Sequence, residues 1–191
     1  MGRPSLADVR RPQILEAYQA CLVRYGIEGA TLDRVAEEAG VTRGLVRHYL
    51  GNRDDVLRAL GAHVRDEYST WLQDLVAARP PEGRLDVVLD ALLSDEMPRD
   101  LYQVVSELFW VATRDPEIAT MLRDMYQEFE RAIDSELAAA IPRADPRARR
   151  QVAFAILALA FSAPDFQVMG FPSDRRRAAR TAADRLVGSL R

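Results

Sequence analysis

The sequence predicts an all-α fold: an N-terminal three-helix domain carrying a helix-turn-helix, then a C-terminal helical bundle, about nine helices in all. Three observations predict it. Apolar residues recur at helical spacing through nearly the whole chain. Starters and stoppers such as Thr31, Gly40, Thr42, Asn52, Asp115-Pro116 and Asp145-Pro146 punctuate it at lengths that suit helices. No segment alternates apolar and polar residues as a half-buried strand does.

Met1 to Asp8 reads as an arm, with Arg3, Arg10 and Arg11 available to a DNA backbone or minor groove. The first helix is expected from Val9 or Arg10 to Tyr25. Its core stripe is Ile14, Leu15, Tyr18, Cys21, Leu22 and Tyr25, and Gly26 stops it. Thr31 caps the second helix, where Leu32, Val35, Ala36 and Ala39 share a face. Gly40 falls just past its end, where a residue without Cβ takes positive φ cheaply. Thr42 caps the third helix. Leu45 or Val46 and Tyr49 continue the apolar contacts there, leaving Arg43, Arg47 and His48 outside.

Asn52 caps the fourth helix, and Asp54 and Asp55 suit its positive end. That helix is expected over about 54–78, carrying Val56, Leu60, Val64, Tyr68, Trp71 and Leu75, and ends before Pro80-Pro81. Gly83–Ser94 follows with Leu85, Val88, Leu89, Leu92 and Leu93. Pro98–Thr113 carries Leu101, Val104, Val105, Leu108, Phe109 and Val111-Ala112. Asp115-Pro116 is a cap with a first-turn proline, opening a helix to about Ala140; Asp145-Pro146 repeats the device before Arg147–Ala163. Pro164 and Gly170-Phe171-Pro172 interrupt, and Ser173 caps a last helix to about Leu190.

Two helices joined by a short turn containing Gly form a helix-turn-helix, and residues 31–50 match it. The run GVTRGLVRHYLGNRDDVLRAL resembles the second half of an N-terminal domain of the TetR family. The resemblance rests on Gly40, Val41, Thr42, Arg43, Gly44, His48, Tyr49, Gly51-Asn52, Arg53 and Asp54-Asp55, and covers the first quarter to third of the chain. The stretch AFSAPDFQVMGFP before the last helix is loosely similar to the BetI-like branch. Leu45 stands where that family often has a small polar residue and Arg47 where it often has an aromatic, so base preference does not carry over.

Net charge is −3, so any basic surface for DNA must be local. From Gly40 to Arg53 there are Arg43, Arg47 and Arg53 and no carboxylate, which suits a phosphate backbone. All 26 basic residues are Arg, which reads mainly as codon bias, with Arg also favouring bidentate phosphate contact. The single cysteine, Cys21, excludes a disulfide framework within one chain and reads as a small buried hydrophobe. No apolar leader opens the sequence, and the longest apolar run, Val152–Ala163, is too short for a membrane span. A cytoplasmic location is the expectation.

The expected DNA-binding residues are Thr31, Thr42, Arg43, Gly44, Leu45, Arg47, His48, Tyr49 and Arg53. Arg43 and Arg47, one turn apart at the start of the recognition helix, suit guanine edges or phosphates. Leu45 suits either the core or a thymine methyl. The resemblance implies phosphate contacts for His48, Tyr49 and Arg53. Backbone N–H groups near Thr31 and Thr42 add phosphate sites. One reading head is small, so a homodimer on a palindromic double-stranded operator is expected, joined through the last two long helices. Phe154, Leu157, Phe161, Ala179, Ala183, Leu186 and Leu190 are the candidates.

A small-molecule effector is expected in the second domain among Trp71, Tyr102, Gln103, Glu107, Trp110, Tyr126, Phe129, Asp165 and Phe166. The domains are then 1–53 for DNA and 54–191 for ligand and dimerisation, linked by the fourth helix. The competing reading is a DNA-binding dimer with no small-molecule switch, governed by a protein partner or constitutive. Catalysis, a metal and a cofactor are not expected. His48 and His63 are the only histidines, no His-Glu-x-x-His pair occurs, and no strand precedes a Gly-rich loop.

Overall fold

The computed structural model describes residues 6–77, 80, 83–93, 99–172 and 174–191, with the backbone alone for 6–8, 99, 163–165, 167 and 168. Among these residues the chain forms nine α-helices and no strand. They are α1 Leu6–Gly29, α2 Leu32–Glu38, α3 Arg43–Leu50, α4 Arg53–Ala77, α5 Arg84–Leu93, α6 Arg99–Ala112, α7 Pro116–Ala140, α8 Pro146–Val168 and α9 Asp174–Gly188. The expected positions Arg3, Ala78, Ser94, Pro98 and Ser173 lie outside the described residues.

The helices sort into two compact units. One comprises Met1–Tyr68 with Arg99–Arg123; the other comprises Ser69–Pro98 with Asp124–Arg191. The division therefore falls elsewhere than the expected boundary after Arg53. Most of α4, all of α6 and the opening of α7 belong with the reading head.

In the first unit α1 is the scaffold. Ile14, Leu15, Tyr18, Cys21 and Leu22 are buried on it, and α2, α3 and α6 all pack against it. It starts earlier than expected, at Leu6, and its regular part ends where Gly26 takes φ +66°. Tyr25, expected in the stripe, is exposed instead, with the Arg34 guanidinium 4.5 Å from its ring centroid. From α6, Gln103 Nε2 donates to the Val23 carbonyl at 2.8 Å, and Glu107 Oε2 accepts from Ile27 N–H at 3.3 Å. The Ile27 carbonyl accepts from Arg53 at 2.6 Å, so one peptide segment is held from two elements. α4 buries Val56, Leu60, Val64 and Tyr68. Asn52 Oδ1 accepts from Asp54 and Asp55 N–H while Asp55 Oδ2 accepts from Asn52 N–H, a reciprocal cap. Asp115 caps α7 by accepting from Glu117 and Ile118 N–H, and Arg58 donates to its other oxygen at 3.2 Å.

In the second unit α8 packs on α9, and α5 packs on both. Asp145 caps α8 through Arg147 and Ala148 N–H. α8 runs past Pro164, expected to break it, to Val168, and the chain turns at Gly170. An interior proline costs a helix one backbone bond and crowds the preceding turn, but Pro164 lies in the last turns of α8, which continues for four residues beyond it. Glu136 is buried on α7, and Arg84 of α5 answers it at 2.8 Å. Arg149 of α8 donates twice to Asp134 of α7. Arg180 of α9 pairs with Asp86 and Asp90 of α5 and with Asp184.

Candidate nucleic-acid interface

The second helix of the motif, α3, has only eight residues. A helix that short is marginal in water, so its place depends on burial and caps. Val46 and Leu50 supply the burial, at roughly 1.5–3 kcal/mol each. Thr42 supplies the cap, its hydroxyl accepting from Leu45 N–H at 3.3 Å. Thr31 does the same for α2 through Arg34 N–H at 3.4 Å. Between the helices Gly40 takes φ +62°, and its N–H and that of Val41 bond back to Glu37 and Ala36. The turn is thus a closed helix end, which fixes the angle at which α3 leaves.

With Val46 and Leu50 inward, helical geometry turns Arg43, Gly44, Arg47 and His48 to solvent, and all four are exposed. Leu45, which suits either the core or a thymine methyl, is 39% exposed and so is outside the core. Tyr49 is half-buried, with His48 edge-on at 5.1 Å. The exposed face therefore carries two arginines, a histidine and a leucine.

The charged groups of the head are mostly paired among themselves. Arg24 meets Glu38 at 3.3 Å, Arg34 donates to the Gly29 carbonyl, and Arg53 holds the Ile27 carbonyl with Glu28 at 3.7 Å. Arg53 is thus tied to the end of α1, a bond its expected phosphate contact did not foresee. Arg43 Nη1 donates to Asp33 Oδ2 of α2 at 2.9 Å. Among the described residues Arg47 has no acidic partner, so its guanidinium is the readiest for a phosphate or a base.

The expected effector residues do not form one site within either unit. Tyr102, Gln103, Glu107 and Trp110 belong to the first unit; Trp71, Tyr126, Phe129, Asp165 and Phe166 belong to the second. Gln103 and Glu107 spend their polar atoms on the α1 backbone, as described. Trp110 is 68% exposed beside the equally outward Phe109, because α6 turns Leu108 and Val111 inward instead. In the second unit Tyr126 and Phe129 meet Phe161 edge-on at 4.7 and 5.6 Å. Phe166 is exposed and packs on Phe171, and the Asp165 side chain lies outside the described residues.

The residues expected at a dimer face are divided between inward and outward positions. Leu157, Ala179 and Ala183 are buried inside their own unit, and Phe161 turns toward α7. The outward face of α8 and α9 is a shallow apolar groove of about 660 Å³ lined by Phe154, Ala155, Ala158, Leu159, Ser162, Ala182, Arg185, Leu186 and Ser189. Phe154 is 61% exposed, while Leu186 and Leu190 are half-buried. A polar cleft of about 440 Å³ in the first unit is lined by Glu16, Gln19, Ala20, Val23, Arg24, Glu67 and Asp100. Neither cleft contains the expected effector residues.

The family profile described as "Bacterial regulatory proteins, tetR family" matches residues 14–60, which span the core of α1 through the start of α4. The HTH-type transcriptional regulator BetI of Burkholderia cenocepacia is 31% identical over 189 residues, spanning 96% of this chain and 95% of the relative. A TetR transcription regulator from Haloarcula marismortui superposes with a TM-score of 0.78 at 22% identity, covering 95% of this chain and 98% of that one. A transcriptional regulator from Saccharomonospora viridis, solved in complex with choline, does so with a TM-score of 0.72 at 17% identity over 93% and 95%. No described helix is long and apolar enough to cross a membrane. With a capped turn at Gly40, an outward arginine face on α3 and a relative matched from end to end, the chain belongs to the tetR family of bacterial regulatory proteins, in its BetI-like branch, and is a DNA-binding transcriptional regulator.

Proposed function

We propose that the protein is a repressor that binds a palindromic operator as a homodimer and is released from it by a small molecule. The observation that carries this reading is the exposure of Arg43 and Arg47 on a helix whose other face, Val46 and Leu50, is fixed in the core. Arg47 reaches a base edge or a phosphate, and Arg43 reaches a guanine edge. Leu45 touches a thymine methyl; Thr42, His48 and Tyr49 hold the backbone; Gly44 lets the helix come close. Two heads about 34 Å apart give the contact area that one lacks. The groove on α8 and α9 is the surface for the second copy, since Phe154 and Leu186 lie there among small residues.

The effector is proposed to be a small organic cation of the quaternary-ammonium kind. The choline in the Saccharomonospora viridis regulator supports it, as does the gathering of the aromatic residues Tyr126, Phe129 and Phe161 in the second unit. Release requires that it bind one dimer state better than the other. The engagement of Gln103 and Glu107 with α1 favours the competing reading, a DNA-binding dimer without an effector.

Selection from a random DNA pool at physiological salt tests the first part. The expected result is a palindrome, with affinity falling steeply as salt rises. Arg43→Ala with Arg47→Ala is expected to abolish operator binding while the dimer stays folded; unchanged operator affinity overturns the assignment. Choline titrated into the complex is expected to release the operator; a complex indifferent to it leaves the switchless dimer as the answer.

A further inference from the structure

The ion pair between Asp33 and Arg43 has no evident purpose in folding. Its two side chains are 67% and 56% exposed, and pairs so exposed add little stability. It nevertheless joins α2 to α3 across the turn, on the surface that carries Arg47. The Asp33 carboxylate reaches Arg43, which lies in an otherwise carboxylate-free reading stretch from Gly40 to Arg53. A negative charge there works against phosphate binding, so its placement calls for a compensating use.

We infer that Asp33 is a specificity-determining residue: it holds the Arg43 guanidinium edge-on for a guanine and keeps it from neighbouring phosphates. This rests on the reading of α3 as the helix that enters the groove. The geometry fits. Only Nη1 of Arg43 is engaged, at 2.9 Å from Asp33 Oδ2, and neither Nε nor Nη2 has a partner among the described residues. Nε and Nη2 form one side of the planar fork, and two N–H groups on one side are what a guanine O6 and N7 accept together. The carboxylate thus takes the end of the guanidinium that the base does not need.

Two consequences follow from the same contact. An arginine already held in its binding geometry loses less side-chain freedom at the base, which favours the correct sequence. On a duplex without a guanine there, Arg43 must leave Asp33 to reach a phosphate, and Asp33 itself repels that phosphate. Specificity is a difference between affinities, and Asp33 widens it from both sides.

The test is selection from a random duplex pool with the full-length protein, for wild type and Asp33→Ala, each repeated in an Arg43→Ala background. Asp33→Asn, which keeps the size and a polar first-turn group, serves the same comparison. In the Arg43-containing protein, loss of the carboxylate is expected to flatten the guanine preference at one position per half-site by about tenfold. Affinity for a duplex of unrelated sequence is expected to rise, with the log–log salt slope steeper by about one, the value of one added phosphate contact. In the Arg43→Ala background the same change is expected to leave the base preference unaltered and to raise affinity for the unrelated duplex by less, through the lost repulsion alone. An Asp33→Ala protein with the wild-type preference and slope overturns the inference, as does an equal effect without Arg43. If wild type itself selects no sequence, the regulator reading falls and takes this with it; a selective wild type beside an indifferent variant overturns this alone.

Discussion

Tyr18 shows how a single group sets a stability limit. It is fully buried on α1, and among the described residues its hydroxyl makes no well-formed hydrogen bond, though the Arg53 guanidinium is near. Burial pushes its pKa up to about 12, with the nearby Arg53 charge opposing only in part. A folded value above the unfolded one, about 10, means stability that is complete below pH ~10 and drains away as pH rises through the folded value. Tyr18→Phe removes both the titration and an unsatisfied polar atom. It is expected to raise stability at pH 7 by up to about 1 kcal/mol and to flatten the decline between pH 10 and 12. Urea midpoints across that range check it; a variant less stable than wild type would show that the hydroxyl has a partner. The local caps at Thr31, Thr42 and Asn52, and the turn glycine at 40, were legible in the sequence, because each depends on residues within one turn. The use of Gln103 and Glu107 was not, because their partners Val23 and Ile27 are 80 residues away.

At the scale of the element, Asp115 ties the start of α7 to α4. Its environment pulls two ways. Burial alone would raise its pKa, but N–H bonds from Ile118 and Glu117 and the Arg58 guanidinium outweigh that, leaving it below the usual carboxylate value. The sign is that of a depressed acid: its contribution is present above the unfolded pKa, about 3.9, and is lost as pH falls through the folded one. Asp115→Asn keeps the cap acceptor and loses the charge. The fall in urea midpoint between pH 5 and pH 2.5 is therefore expected to be smaller than in wild type, and an identical fall would count against the contact. Periodicity gave these helices readily but not their faces. α8 is apolar nearly all round, so spacing alone could not say that Leu157 faces inward and Phe154 outward. The same ambiguity put Phe109 and Trp110 in the interior, where α6 instead turns Leu101, Val104, Val105, Leu108 and Val111.

For the whole molecule, the proposed assembly can be tested on the outward groove of α8 and α9. Phe154→Asp puts a charge among Ala158, Leu159 and Leu186 without disturbing the buried side of α8. It is expected to give a folded monomer in sedimentation, with operator affinity weaker by at least tenfold, since one head contributes only a half-site. A dimer that persists places the partner elsewhere. The division into an all-helical N-terminal reader and a bundle was visible in the sequence, but its boundary was not. Chain order suggested a cut after Arg53, whereas packing assigns α6 to the head.

That assignment of α6 reaches into how the protein is made. Residues 1–68 leave the ribosome before α6 does and carry every part of the reader, yet the surface of α1 that awaits Gln103, Glu107 and their apolar neighbours stays open meanwhile. The head must wait for some fifty more residues, through Arg123, before its last wall arrives. During synthesis an operator would thus meet a finished reader only after much of the rest of the chain had emerged.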